Sequence, residues 1–92
     1  MTPSEPLAAH AWQARQAAGL LAALEAMEGT LALAEALLDQ GRRIDLVGLE
    51  AEMERLCVAS LAAPQGALGA VRLKLEALLR ALDRLRAGLA PP

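Results

Sequence analysis

The sequence predicts an all-α protein, an antiparallel three-helix bundle with a long first helix that associates into a dimer. Three observations carry this. The apolar residues are almost all Ala and Leu, with one Trp and no Phe or Tyr, so helix formers dominate and the residues that strands favour are nearly absent. Large apolar side chains recur in alternating steps of three and four along three stretches, which is the spacing of helices packed knobs-into-holes. The breaks between those stretches are short, at Gly41 and at Pro64 to Gly66, and short connections make consecutive helices antiparallel neighbours.

Residues 1–6, MTPSEP, read as a disordered leader, and residues 7–90 as a single helical domain. Ser4 is the expected N-cap of the first helix, because it places Pro6 in the first turn, where a missing N–H costs nothing. That helix is expected over about residues 7–40, stopped by Gly41 in a left-handed conformation. Gly19 and Gly29 each weaken it by about 1 kcal/mol relative to Ala, which leaves a bend at either open. The second helix, about 45–63, starts where the Asp45 carboxylate can cap free N–H groups and ends at the Pro64-Gln65-Gly66 turn. The third runs over about 67–88.

The seams define the expected core. Helix 1 offers Leu20, Leu24, Met27, Leu31, Ala34 and Leu38. Helix 2 offers Leu46, Leu49, Met53, Leu56 and Ser60. Helix 3 offers Leu68, Val71, Leu75, Leu78, Leu82, Leu85 and Leu89. Leu33, Val47, Val58 and Leu73 fall off the seams. At 1.5 Å per residue, helices 2 and 3 are each about 30 Å long and a continuous helix 1 about 50 Å. Leu7 to Gly19, carrying Trp12, therefore overhangs with nothing from its own chain to cover it. Exposed leucines taken singly mean little, but several of them beside an overhanging helix indicate a second buried surface. The expected partner-binding residues are Leu7, Trp12, Leu21 and Leu33, and the partner is another protein or a second copy of the chain. Trp12 folded back onto helix 2 or 3 is the competing reading.

Composition bounds the function. Ninety-two residues make one domain, and the net charge of −2 provides no global attraction to nucleic acid or anionic lipid. Helix 1 is acidic between residues 20 and 40 and helix 3 is basic. That pattern reads as pairing between neighbouring helices, and a phosphate-binding helix would want stacking aromatics that are missing here. The lone Cys57 cannot form an internal disulfide, which favours a reducing compartment. The N-terminus has no basic residue before Arg15, unlike a signal peptide, and no uncharged stretch reaches the roughly 20 residues of a membrane span. The expectation is a cytoplasmic protein that engages neither nucleic acid nor membrane.

No residue set points to chemistry. Cys57 lies beside the helix 2 seam and reads as a small buried hydrophobe. His10 has no companions with which to hold a metal. Arg42 and Arg43 meet the negative end of the first helix dipole. Small helical chorismate mutases bind a dianion with buried arginines and a lysine, but here Lys74, the only lysine, flanks a seam. With no phosphate loop or nucleophile set, neither catalysis nor a cofactor is expected. The alternative to a binding module is a purely structural homo-oligomer.

Residues 20–41, LLAALEAMEGTLALAEALLDQG, and 44–62, IDLVGLEAEMERLCVASLA, resemble the small helical chaperones of flagellar and related type III export. That resemblance implies a long first helix, leucine-rich antiparallel hairpins, and a role holding export substrates or regulators on an exposed helical groove. It covers under half the chain.

Overall fold

The computed structural model describes residues 5–90, and these are helical with short connections and no strand: α1 (Glu5–Asp39), α2 (Leu46–Ser60), a short 3-10 turn (Gln65–Ala67) and α3 (Leu68–Leu89). The expected N-cap Ser4, and most of the expected leader, lie outside the described residues. Helix α1 begins at Glu5, so Pro6 belongs to its first turn.

Helix α1 is continuous through Gly19 and Gly29. Nothing lies within 4 Å of where a side chain at either would stand, so neither glycine is required by close packing. The helix ends on Gly41, whose φ is +74°. There the Gly41 N–H donates to the Leu38 carbonyl at 2.9 Å and the Arg42 N–H to the Leu37 carbonyl at 2.9 Å, the pair of bonds that closes a helix on a left-handed glycine. Asp45 caps α2 by accepting from the Gly48 N–H at 2.9 Å, and α2 itself starts one residue later. It also stops at Ser60, three residues before the expected end. The amides of Leu61, Ala62 and Ala63 donate to carbonyls three residues back. Pro64 disfavours helical backbone in the residue before it, and the last turn tightens accordingly.

The core is a single cluster drawn from all three helices: Leu24, Met27, Leu31 and Ala34 from α1, Met53 and Leu56 from α2, and Val71, Leu78, Leu82 and Leu85 from α3. All ten lie on the expected seams. The ends of the α3 seam do not reach it: Leu68 and Leu89, the first and last residues of α3, are exposed. Ser60 is the buried polar residue of the α2 seam, and its hydroxyl donates to the Leu56 carbonyl at 2.7 Å, so burial leaves no donor unpaired. Helix α1 packs more extensively on α3 than on α2. At 1.5 Å per residue, the 35, 15 and 22 residues of the three helices span about 52, 22 and 33 Å.

Leu78 is 1% exposed, and the change Leu78→Asp places an unpaired charge among leucines, at a cost of about 3–5 kcal/mol. In a domain this small that removes most or all of the stability, so far-UV circular dichroism should show loss of the cooperative melt. A mutant that still melts cooperatively would mean that the core is wrongly placed. Gly29→Ala should act in the opposite direction, raising stability by up to about 1 kcal/mol. A lowered midpoint for that variant would show that Gly29 makes a close contact absent from this structure.

Candidate functional site

Three of the four expected partner-binding residues stand in solvent: Leu7 is 71% exposed, Trp12 57% and Leu33 62%. Leu21 differs. It is half-buried and packs against the core cluster, because it stands one turn before Glu25, on the edge of α1 that faces α3. The exposed three do not share a face. At about 100° per residue, Trp12 and Leu33 lie about 60° apart on one side of α1, and Leu7 lies about 140° from Trp12 on another.

The overhang itself is plain. Every residue from Leu7 to Gln16 is exposed, Ala17 is the first half-buried one, and Leu24 is the first buried one. Gln16 and Leu20 meet the end of α2 near Ala63 and Pro64, which marks where the neighbours stop. His10 stands exposed in this segment. Trp12 does not fold back onto α2 or α3.

Along the rest of α1, polar and apolar residues are distributed by partner. Glu25 and Glu28 lie 3.3 and 3.7 Å from Lys74, and Glu35 lies 3.0 Å from Arg84. On α2, Glu50 accepts from Arg86 at 2.8 Å, and Asp83 accepts from the same guanidinium at 3.0 Å. The Arg86 pKa sits above the ordinary arginine value, chiefly through its hydrogen bond to Glu50. Arg72 pairs with Glu76, and Arg55 with Glu52, within their own helices. The acids of α1 are thus gathered on the edge that faces α3.

Between Gly19 and Leu37, what remains of the α1 surface is apolar or small. The polar and apolar faces of α3 separate sharply and those of α1 much less, because small and apolar residues continue round α1 beyond its core seam. Between α1 and α2 lies an open cavity of about 330 Å³ whose walls include Thr30, Leu33, Leu37, Gly48 and Leu49. A second groove of about 530 Å³, between α2 and α3, is walled by Val47, Cys57, Leu79 and Leu82 among others. Cys57 is half-buried on that groove, where the sequence predicts full burial, because α2 packs on α3 less extensively than α1 does. Sequence reasoning missed Leu61, which is 86% exposed, and Leu79. Both sit one step beyond an expected core position, and periodicity alone does not say how far a seam's shoulder is covered.

Over Leu7–Asp39, α1 is also long and apolar enough to cross a membrane by length and composition, with a hydropathy of 1.4. The same stretch contributes Leu24, Met27, Leu31 and Ala34 to the core, and its Glu25 and Glu28 are matched by Lys74. Among the described residues no group of three or more His, Cys, Asp or Glu side chains is placed to hold a metal ion. No family model, curated protein or solved structure matches this chain.

The pairs between α1 and α3 are mostly exposed, so each is worth about 0.2–1 kcal/mol. Arg84→Glu, which sets like charges together at Glu35, should lower the melting midpoint modestly, and adding Glu35→Arg should recover most of the loss. If the double variant melts no higher than the single one, the two side chains do not interact in solution.

Proposed function

We propose that this chain is a soluble, cytoplasmic protein-binding module, an adaptor or export-chaperone-like protein that presents an apolar helical face of α1 to a partner. The observation that carries the reading is Trp12, the only aromatic residue, more than half exposed on a helical extension that has no neighbour. A tryptophan is among the commonest anchors of protein interfaces. An isolated helical segment of about a dozen residues is only marginally stable in water, so the extension gains its stability from whatever it docks on.

The domain behind the extension is read as an antiparallel up-down-up bundle. Its support is the order of the contacts. Glu25 and Glu35 of α1 meet Lys74 and Arg84 of α3 in the same sequence order, while Leu20 lies near Ala63 and Leu37 near Ile44. Such a bundle closes its own core and leaves α1 with surface to spare. A role in export rests on the resemblance of residues 20–41 and 44–62 alone. The membrane alternative for α1 is disfavoured by the acids it carries along the α3 edge, since charged side chains are costly in lipid.

A photo-reactive amino acid placed at position 12 and activated in living cells should give discrete protein adducts of defined mass. Adducts to lipid only, or none, would remove the binding-module reading. In a purified complex, Trp12→Ala should weaken association by about thirtyfold or more, the loss of about 2 kcal/mol expected of an interface anchor, while the melting of the isolated chain stays nearly unchanged. Normal association with a much lower midpoint would place Trp12 in the intramolecular core.

A further inference from the structure

Away from its core seam, α1 carries a second one. Trp12, Gln16, Gly19, Ala23, Ala26 and Thr30 follow one another in steps of four and three, and Leu33 and Leu37 continue it. All but Leu37, which is half-buried, are exposed. The step pattern is that of a helix packed along a second helix. The Thr30 hydroxyl donates to the Ala26 carbonyl at 3.1 Å, so it is satisfied by its own helix and makes no demand on water. Between Trp12 and Leu37 the strip holds no acidic side chain, since Glu25, Glu28 and Glu35 lie along the α3 edge.

We infer that the occupant of this seam is a second copy of the chain, docked antiparallel about a two-fold axis that crosses the strip between Gly19 and Ala23, with Trp12 of each copy entering the cavity between α1 and α2 of the other. The inference rests on the binding-module reading and names the partner of that same face. Its ground is self-complementarity. A two-fold axis at that point sets Trp12 opposite Thr30, Gln16 opposite Ala26, and Gly19 opposite Ala23. Each outer pair joins a large residue to a small one, and the central pair is small on both sides, which allows two helices to approach closely. An isologous contact requires one patch to fit itself in this way.

Length agrees with the pairing. The segment from Glu5 to Leu20 of one copy lies beside residues 22–37 of the other, so each extension is covered along its whole length by the partner's helical domain. The Thr30 and Leu33 walls of the α1–α2 cavity fall where Trp12 arrives. A strip about 50 Å long and about 10 Å wide offers about 500 Å² from α1 of each copy, and the lip of α2 brings this toward the about 800 Å² per partner of a stable interface. Between Trp12 and Leu37 the only charge near the strip is Arg15, at its edge, so no like charges are brought together there.

The test uses two measurements on the full chain. Sedimentation at tens of micromolar should show a species of twice 9.6 kDa, and a 9.6 kDa species would overturn the proposal. The second is a cross-link, in a Cys57→Ala background, between cysteines introduced by Gln16→Cys and Ala26→Cys. Ten residues along one helix separate them by about 15 Å, beyond the roughly 7 Å limit for a disulfide, so any bond must join two copies. Mild oxidation should convert most of the protein to a covalent dimer, while Gln16→Cys with Ala18→Cys, the latter off the strip, should stay uncross-linked. A dimer that fails to cross-link, or that cross-links equally in the control, overturns the antiparallel seam. A monomer whose position 12 is captured by a different protein overturns the second copy and leaves the binding-module reading intact. A monomer with no protein adduct at position 12 removes both.

Discussion

The packing of Leu24, Leu31, Leu78, Leu82 and Leu85, the largest fully buried side chains, is the interaction on which the rest of this molecule depends. With no Phe or Tyr in the chain, there is no bulky ring around which to gather a core. Small branched side chains must interdigitate, and they do so best along regularly spaced seams, where each inserts among four residues of a facing helix. Because helix packing removes apolar area from water only where two helices run side by side, the shortest helix limits how much of the longest is covered. Helix α2 has 15 residues and α1 has 35. The uncovered length of α1 is the direct result.

That constraint separates the two ends of α1 in energy. From Leu24 onward the helix is held by core packing and, along one edge, by Lys74 and Arg84. Before Ala17 it has only its own backbone hydrogen bonds and the propensity of its alanines, which suffice for marginal helicity. A long helix whose leading segment is weakly held and carries the only tryptophan couples ordering to binding: the segment pays little to stay helical when docked and has little to lose when released. The exposed pairs on the α3 edge contribute modestly to stability. The acids they engage, Glu25, Glu28 and Glu35, share one edge of α1, so from Trp12 to Leu37 the opposite side carries no negative charge.

Much of this was legible in the residues themselves. Steps of three and four placed all ten core side chains, Asp45 announced the cap of α2, and Gly41 the left-handed stop of α1, because each of these depends on local chemistry that a few neighbouring residues specify. The shortening of α2 before Pro64 was foreseeable from the restriction that a proline places on the residue before it. Other features were not legible, for physical reasons. Leu21 was expected at the partner surface, yet it is half-buried because burial at a seam's shoulder depends on how wide the neighbouring helices splay. Leu7 and Trp12 were grouped by proximity along the chain, although helical rotation sets them on different sides. Leu68 and Leu89 continue the α3 spacing, yet they are its first and last residues, and spacing alone does not say where the cover of neighbouring helices stops. The second seam of α1 is written largely in Ala and Gly, residues whose spacing goes unnoticed when only large apolar side chains are counted.

Amide hydrogen exchange along α1, measured at high and at low protein concentration, tests the central claim most directly. The account predicts that amides between Leu24 and Ala34 are protected at both concentrations, whereas those between Ala8 and Gly19 are protected when the chain is concentrated and exchange freely on dilution. Protection of the Ala8 to Gly19 amides that equals that of the core and does not change with concentration would contradict it, since the extension would then be held by its own chain.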